Sequence, residues 1–236
     1  MLPTSCRTCA IRDAALCRAL PDGALAQLNQ IARRRRYHAG AQIFSGHEDR
    51  QLVASIVHGV VRHSKALSDG RTQIVALQFA SDFLGLPTSP QNAVLTEAAT
   101  DVELCTFTRA QLDVLVRAHP AVQTQLMQRL AKDLEDARDW MVLLGRKTAE
   151  ERVASFIMLC LAKHRKLACG ATGTSAGERI ELPLSRTDIA DYLGITLETV
   201  ARKLRQLSDD GVIAINTGRF LTVLDTGMLQ ARAEPA

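Results

Sequence analysis

Three cysteines lie close together near the start of this 236-residue chain, where Cys6, Cys9 and Cys17 form a C-x2-C-x7-C pattern. Thiols at such spacing can hold an iron–sulfur cluster, bind zinc or form a redox-active pair. A 4Fe–4S cluster needs four thiolates, and Cys105, at the end of a predicted β run, is the candidate for the fourth. Because C-x2-C alone is a weak motif, these residues do not decide among the three kinds of site. They are also compatible with no site at all.

The remaining two cysteines are not expected to join such a site. Cys160 lies among the inward positions of an apolar helix, which favours core packing, and Cys169 lies in a loop of small residues. Six cysteines in a chain of this length do not indicate a disulfide scaffold, so we expect a reducing compartment. Haem ligation is a further alternative, but histidines scattered over predicted strands are typical of a surface: His38, His47, His58 and His63.

A second chemistry-bearing stretch covers 185–207 and has the pattern of a helix-turn-helix. Ser185 is a typical N-cap residue, and Gly194 is suited to the tight turn that ends the first helix. Thr196 is the predicted N-cap of the second helix. The predicted inner face of the first helix consists of Ile189, Ala190 and Leu193.

The second helix of this pair divides into an apolar and a polar face. Arginine can donate two hydrogen bonds to guanine, and glutamate can accept one from cytosine, so Glu198, Arg202 and Arg205 suit a major groove. Two β runs at 212–215 and 220–224 then predict a hairpin wing. The alternative is an ordinary three-helix subdomain with a solvated charged face. The predicted apolar face consists of Leu197, Val200, Leu204 and Leu207.

The segment that contains Cys105 is predicted to form an all-β roll or barrel. Short β-rich runs alternate with turn residues from about residue 36 to 108, and Asp69-Gly70 is a strong hairpin signal. We interpret the run Arg33 to Arg36 as a solvated face. Short helices are predicted at 21–32 and 109–118, and the predicted β runs are 42–44, 52–57, 60–65, 73–79 and 102–107.

A long helix is predicted from His119-Pro120 to about Gly145, because proline suits a first helical turn. Its apolar residues repeat every three or four positions, which is typical of a coiled-coil seam and favours self-pairing. The alternative is a helix that packs on its own domain. A further amphipathic helix is predicted at 148–166, and a strand at 180–184. The predicted dimer seam consists of Leu126, Leu130, Leu134, Ala137, Met141 and Leu144.

Together these elements predict an α+β chain with four segments. They are a cysteine-rich head (1–20), a β-roll sensor domain (21–118), a dimerisation helix (119–147) and a winged helix-turn-helix (148–236). The net charge of +4 permits nucleic-acid binding. No apolar run approaches the ~18 residues of a membrane span, and no signal peptide is evident, so we expect a cytoplasmic protein with no membrane partner. The absence of P-loop, G-x-S-x-G and HExxH motifs argues against an enzyme.

The whole chain resembles the CRP/FNR superfamily of transcription regulators, and most closely its FNR-type branch with FnrL, FnrN and FixK. The stretches that carry the resemblance are CRTCAIRDAALC over 6–17, DFLG over 82–85, WMVLLGRKTAEER over 140–152 and DIADYLGITLETVAR over 188–202. The resemblance implies a homodimer that binds a palindromic operator with TTGA-type half-sites and acts with RNA polymerase. The residues expected to contact DNA are Glu198, Thr199, Ala201, Arg202, Arg205, Ser185 and Arg186.

The resemblance also implies one 4Fe–4S cluster per chain, held by Cys6, Cys9, Cys17 and Cys105, and an oxygen response in which cluster loss loosens the dimer. A cluster-free FixK-like regulator, or one that responds to metal or thiol oxidation, is the alternative. Cyclic nucleotide binding is not expected, because the stretch 86–93 lacks the arginine of the relatives' phosphate signature. Two positions depart from the family pattern. Ala201 replaces the usual serine, which removes a hydrogen bond. Ala137 lies where some family members carry an acidic seam residue, with Asp133 and Asp136 beside it.

Overall fold

The computed structural model describes residues 4–44, 51–85, 94–167 and 177–234. The chain divides into two compact units, Met1–Lys65 with Val75–Asp136, and Ala66–Ile74 with Ala137–Ala236. Three features singled out above lie outside the described residues: His47, Cys169 and the stretch 86–93. In the part of the chain that the structure describes, no helix is both long enough and apolar enough to span a membrane.

The first unit is built on antiparallel β-structure. One sheet has the strand order β1-β7-β2-β5 and the other the order β4-β3-β6. Four predicted β runs are confirmed as β2, β3, β4 and β7, but the run 42–44 is wrong, since Gln42 forms only an isolated bridge with Glu97. The strands are β1 Arg33–Tyr37, β2 Leu52–His58, β3 Val61–Ala66, β4 Thr72–Gln78, β5 Phe83–Leu84, β6 Leu95–Ala98 and β7 Val102–Thr108.

Side chains alternate across β2 and β7 and so contribute to two separate cores. Val53 and Phe107, which are cross-strand partners, join the core beneath the helices. Ala54, Ile56 and Leu104 point to the opposite face and join the core between the sheets. One face of this sheet is therefore available to hold the N-terminal head.

Helices of the first unit cover that face. They are α1 Thr4–Arg7, a 3₁₀ turn Leu16–Ala19, α2 Asp22–Ile31 and α3 Arg109–Ala118. The predictions for α2 and α3 are confirmed, and Thr108 with Gln111 forms a capping box at the start of α3. The long helix α4, Pro120–Arg146, also begins at the predicted proline.

The second unit contains the predicted helix-turn-helix and wing. Its elements are α5 Ala149–Leu167, β8 Glu178–Glu181, α6 Arg186–Leu193, α7 Leu197–Asp209, β9 Ile213–Ile215, β10 Phe220–Val223 and α8 Thr226–Ala233. The sheet has the order β8-β10-β9, so the wing hairpin is joined by a third strand. The inward prediction for α5 is confirmed at Val153, Phe156, Ile157, Cys160 and Leu161. The helix α8, which was not predicted, packs against α5.

Candidate cysteine site and nucleic-acid interface

The cysteine site is built on one rung of the first sheet. Cys105 on β7 lies opposite Arg34 on β1 and opposite Ser55 on β2. Cross-strand partners share a face, so the three side chains point to the same side of the sheet. All three line one cavity of about 170 Å³. The rung therefore fixes Cys105 on a paired strand with a neighbour on each side.

The N-terminal head brings the other three predicted cysteines to the same cavity, which Cys6, Cys9 and Cys17 also line. The head folds back through backbone hydrogen bonds, including Arg12 N–H to the Cys9 carbonyl at 3.1 Å. Cys6 Sγ donates to Asn29 Oδ1 on α2 at 3.6 Å. Buried apolar side chains anchor the head: Ile11, Ala15 and Leu20. The structure thus assembles all four predicted cysteines around a single cavity.

Burial governs the electrostatics of these thiols. Removal from water, together with smaller contributions from charge repulsion by Cys105, Cys9 and Cys6, raises the pKa of Cys17 to about 12. Burial also raises the pKa of Cys105, although the charge of Arg34 acts in the opposite direction. A site of this kind favours the thiol form until a cation or metal centre compensates the negative charge.

The run Arg33 to Arg36 is exposed, as predicted, but Arg34 also contributes to this site. Its Nη2 donates to Cys9 Sγ at 3.6 Å, and its Nη1 donates to Glu103 Oε1 at 3.0 Å. The run Arg33 to Arg36 forms β1, so alternate arginines face opposite sides of the sheet. Four successive arginines carry no alternating pattern, so Arg34 is identified only by the pairing of β1 with β7.

The candidate ligands do not converge on a single ion. Within the described ranges, no group of three His, Cys, Asp or Glu side chains is placed to hold one metal ion, and this holds for the four cysteines of the cavity as well. Cys160 is buried in the second unit, as predicted, and burial raises the pKa of its thiol. Both ring nitrogens of His63 are engaged, with Thr96 at 3.1 Å and Gln78 at 2.7 Å. Burial lowers the pKa of that imidazole.

The nucleic-acid interface rests on two capped helices. Ser185 and Asp188 form a capping box at the start of α6, and Gly194 ends that helix at φ 63° in the left-handed region. Thr196 then caps α7 by accepting from the Thr199 N–H. Ile189, Ala190 and Leu193 are buried as predicted. Short-range hydrogen bonds therefore fix where each of the two helices begins, and Gly194 fixes where the first one ends.

The outward face of α7 presents Glu198, Ala201, Arg202 and Arg205 to solvent. The backbone N–H of Glu198 and the Thr196 side chain lower the pKa of the Glu198 carboxyl, which favours the charged acceptor form. On the inner face the prediction holds for Val200, Leu204 and Leu207. It is wrong for Leu197, which is exposed because it occupies the first turn, before the helix reaches the core.

Three other residues expected to contact DNA have structural partners or are partly buried. Thr199 is half-buried, and its hydroxyl lies 3.1 Å from the Thr196 hydroxyl. The Ser185 hydroxyl donates to Asp188 Oδ2 at 2.7 Å. Arg186 is half-buried, and its Nη1 has no hydrogen-bond partner among the residues that the structure describes. Burial lowers the pKa of Arg186.

The long helix α4 carries an apolar stripe that its own chain leaves exposed. Leu130, Leu134 and Met141 are 40%, 52% and 63% exposed, and Ala137 lies between the last two. The structure places the two ends of the predicted seam differently. Leu126 packs against the core of the first unit, and Leu144 is half-buried beside Gly194. Met127, which is 62% exposed, completes the stripe, with a spacing of 3-4-3-4 that a coiled coil requires.

Comparison with known proteins is consistent with this architecture. Residues 151–232 match the family of Crp-like helix-turn-helix domains. The chain is 40% identical to a probable transcriptional activator of Rhizobium leguminosarum bv. viciae, over 97% of this chain and 92% of that protein. It is 37% identical to the transcriptional activator protein FnrL of Cereibacter sphaeroides, over 97% and 91%. The structure of FixK2 from Bradyrhizobium japonicum matches with a TM-score of 0.74 at 34% identity, over 87% and 99%.

Proposed function

Because the chain belongs to the CRP/FNR family of transcription regulators, in its FNR/FixK-like branch, we propose that it is an oxygen-responsive, DNA-binding activator. Cys6, Cys9, Cys17 and Cys105 hold one 4Fe–4S cluster per chain in this proposal. The observation that carries it is the convergence of these four cysteines, from the head and from β7, on a single cavity. An intact cluster favours the DNA-binding dimer, and its loss in oxygen weakens DNA binding.

The donor set and the space both fit such a group. Four thiols are what a 4Fe–4S cluster requires, whereas one zinc ion needs its ligands within about 2.3 Å of a single point. A water molecule needs only about 10–15 Å³ of such space. The cavity of about 170 Å³ therefore suits a group of several atoms better than one ion. Its other walls include the apolar side chains Ile11, Leu25 and Leu28.

A bound cluster would supply a centre that oxygen destroys, and the chain's own packing supplies the link to α4. Leu20 from the head and Val122 from α4 belong to the same buried core. Leu16, Cys17 and Leu126 pack against that core as well. A head that loses its anchor at the cysteines also loosens the packing beneath the first turns of α4. The order of the head and the position of the pairing helix are thus coupled within one unit.

Dimerisation in this proposal runs through the apolar stripe of α4, defined by Met127, Leu130, Leu134, Ala137 and Met141. Pairing removes these side chains from water, which a single chain cannot do. A dimer presents two copies of α7 at the spacing of two half-sites, so the operator is expected to be palindromic. Glu198 and Arg202 read TTGA-type half-sites, and RNA polymerase is the expected partner at activated promoters.

The test is purification without oxygen, followed by iron and sulfide analysis and an absorption spectrum. Gel shifts on a palindromic TTGA-type duplex are then run before and after exposure to air. We expect about four iron and four sulfide atoms per chain, and DNA affinity that falls in air. Protein that holds zinc and no iron would contradict the cluster. Protein that binds the duplex equally well with no metal would identify a cluster-free, FixK-like regulator.

A further inference from the structure

We propose that Arg34 is a positioning residue of the cysteine site. Its guanidinium holds the Cys9 sulfur in place and offsets negative charge that the four thiolates bring into the cavity. The inference rests on the proposed function, because it concerns the same cluster. It adds a fifth side chain to the site, one that does not bind iron itself.

The sheet gives Arg34 a fixed position. Its backbone lies in register with Cys105, and Glu103, two residues before Cys105 on the same strand, accepts from its Nη1 at 3.0 Å. This contact leaves Nη2 directed to Cys9 Sγ at 3.6 Å. Arg34 therefore connects a cysteine of the head to the strand that carries the fourth cysteine.

The other arginines that line the cavity have different partners. Arg12 pairs with Asp22 at 3.6 Å, and Arg33 donates to the carbonyls of Gln30 and Ala32 at 3.0 Å. The charge of Arg34 also acts on Cys105 and lowers the pKa of that thiol. Four thiolates in a partly apolar cavity repel one another, so a fixed cation among them stabilises the anionic form of the site.

Such a contact affects a metal centre in two measurable ways. Hydrogen bonds to the sulfurs and nearby charge set the reduction potential of an iron–sulfur cluster. Partners that orient the ligands also set how firmly the metal is held, and their loss commonly costs about 10-fold to 100-fold in affinity. Removing the charge of Arg34 would therefore disfavour the reduced, more negative state of the cluster. It would also leave the Cys9 side chain free to turn away from the cavity.

Arg36 provides a matched control on the same strand. It donates to the other oxygen of the same carboxylate, Glu103 Oε2, at 3.1 Å, but it is 82% exposed and does not line the cavity. Arg34→Gln and Arg36→Gln each remove one positive charge and one contact to Glu103. Only Arg34→Gln removes the contact to a cysteine sulfur.

The experiment uses the full chain, loaded anaerobically with iron and sulfide. Iron release to a chelator and the midpoint potential are measured for wild type, Arg34→Gln, Arg34→Lys and Arg36→Gln. We expect Arg34→Gln to release iron about 10-fold faster and to shift to a lower potential. Arg34→Lys, which keeps the charge, should have a midpoint potential close to that of wild type. Arg36→Gln should match wild type in both measurements.

The outcomes separate this inference from the proposed function. If wild type loads its cluster but Arg34→Gln behaves like wild type, or if Arg36→Gln changes equally, Arg34 has no special role. If Arg34→Gln fails to fold, as judged by circular dichroism, Arg34→Met, which keeps the apolar stem and removes the charge, is compared with Arg36→Met: iron release that is unchanged from wild type in Arg34→Met overturns the inference. If wild type takes up no iron, the proposed function and this inference fail together.

Discussion

The helix-turn-helix and the cysteine site are held together by contacts of very different range. At the starts of α6 and α7, the hydrogen bonds that cap the helices join residues three apart, such as Ser185 with Asp188 and Thr196 with Thr199. At the cysteine site, β1 supplies Arg34 and β7 supplies Cys105, 71 positions later in the chain. A local site tolerates damage elsewhere, whereas a site of distant parts depends on the fold of its whole unit.

The largest expected effect is on the cluster, when Cys105 of β7 is replaced. Cys105→Ser should abolish the cluster, because the head alone offers three thiols and serine is a poor iron ligand. Anaerobic iron content and the absorption spectrum measure this. Cys160→Ser, in the core of the second unit, is the matched control and should keep full iron content. A full-occupancy cluster in Cys105→Ser would show that the fourth ligand lies elsewhere.

The second effect concerns the stripe on α4. Leu134→Glu would place a charge within the proposed dimer interface, where burial without a partner is unfavourable, so we expect monomers. Sedimentation measures the mass directly. Asp139→Asn, on the far side of α4 from the stripe at 100° per residue, should remain dimeric. A dimer of unchanged mass in Leu134→Glu would place the interface elsewhere.

The range of the contacts also explains what the sequence could predict. Caps and turns depend on neighbouring residues, so Ser185, Gly194 and Thr196 were assigned correctly. The strand β1 was missed because four successive arginines show no apolar alternation, and only pairing with β7 reveals it. Leu126 and Met127 are adjacent apolar residues on one helix, and the sequence offers no way to tell which of them faces the core. Their assignment requires the tertiary packing.

The third expected effect is a loss of stability in the first unit, when a long-range ion pair is broken. Asp82 is 3% exposed, and its carboxylate pairs with Arg129 at 2.8 Å, which also pairs with Asp133 at 3.0 Å. Arg129→Gln leaves the Asp82 charge buried and unpaired, which commonly costs about 3–5 kcal/mol of unfolding free energy. Denaturant unfolding measures this cost. Lys132→Gln removes only exposed pairs with Glu135 and Asp136 and should change little.

A smaller effect is expected at the outward face of α7. Arg202→Ala should weaken binding to a TTGA-type duplex by about 1–3 kcal/mol and relax preference at one base pair. Fold stability should not change, because Arg202 is exposed and lies outside the core. Gel shifts on matched and randomised duplexes make the distinction. An equal loss on both would mean that Arg202 contacts only phosphate.

The smallest effect tests whether the helix-turn-helix really is locally held. Ser185→Ala removes the side chain that accepts the Asp188 N–H and donates to its carboxylate, and loss of an N-cap typically costs about 1 kcal/mol. Since the capping box lies within the second unit, denaturant unfolding should report this small loss while iron content stays at the wild-type level. Thr187→Ala, two residues later and exposed, is the control and should be near neutral. Loss of iron in Ser185→Ala would mean that the two sites are not independent, and the contrast between local and distant construction would no longer hold.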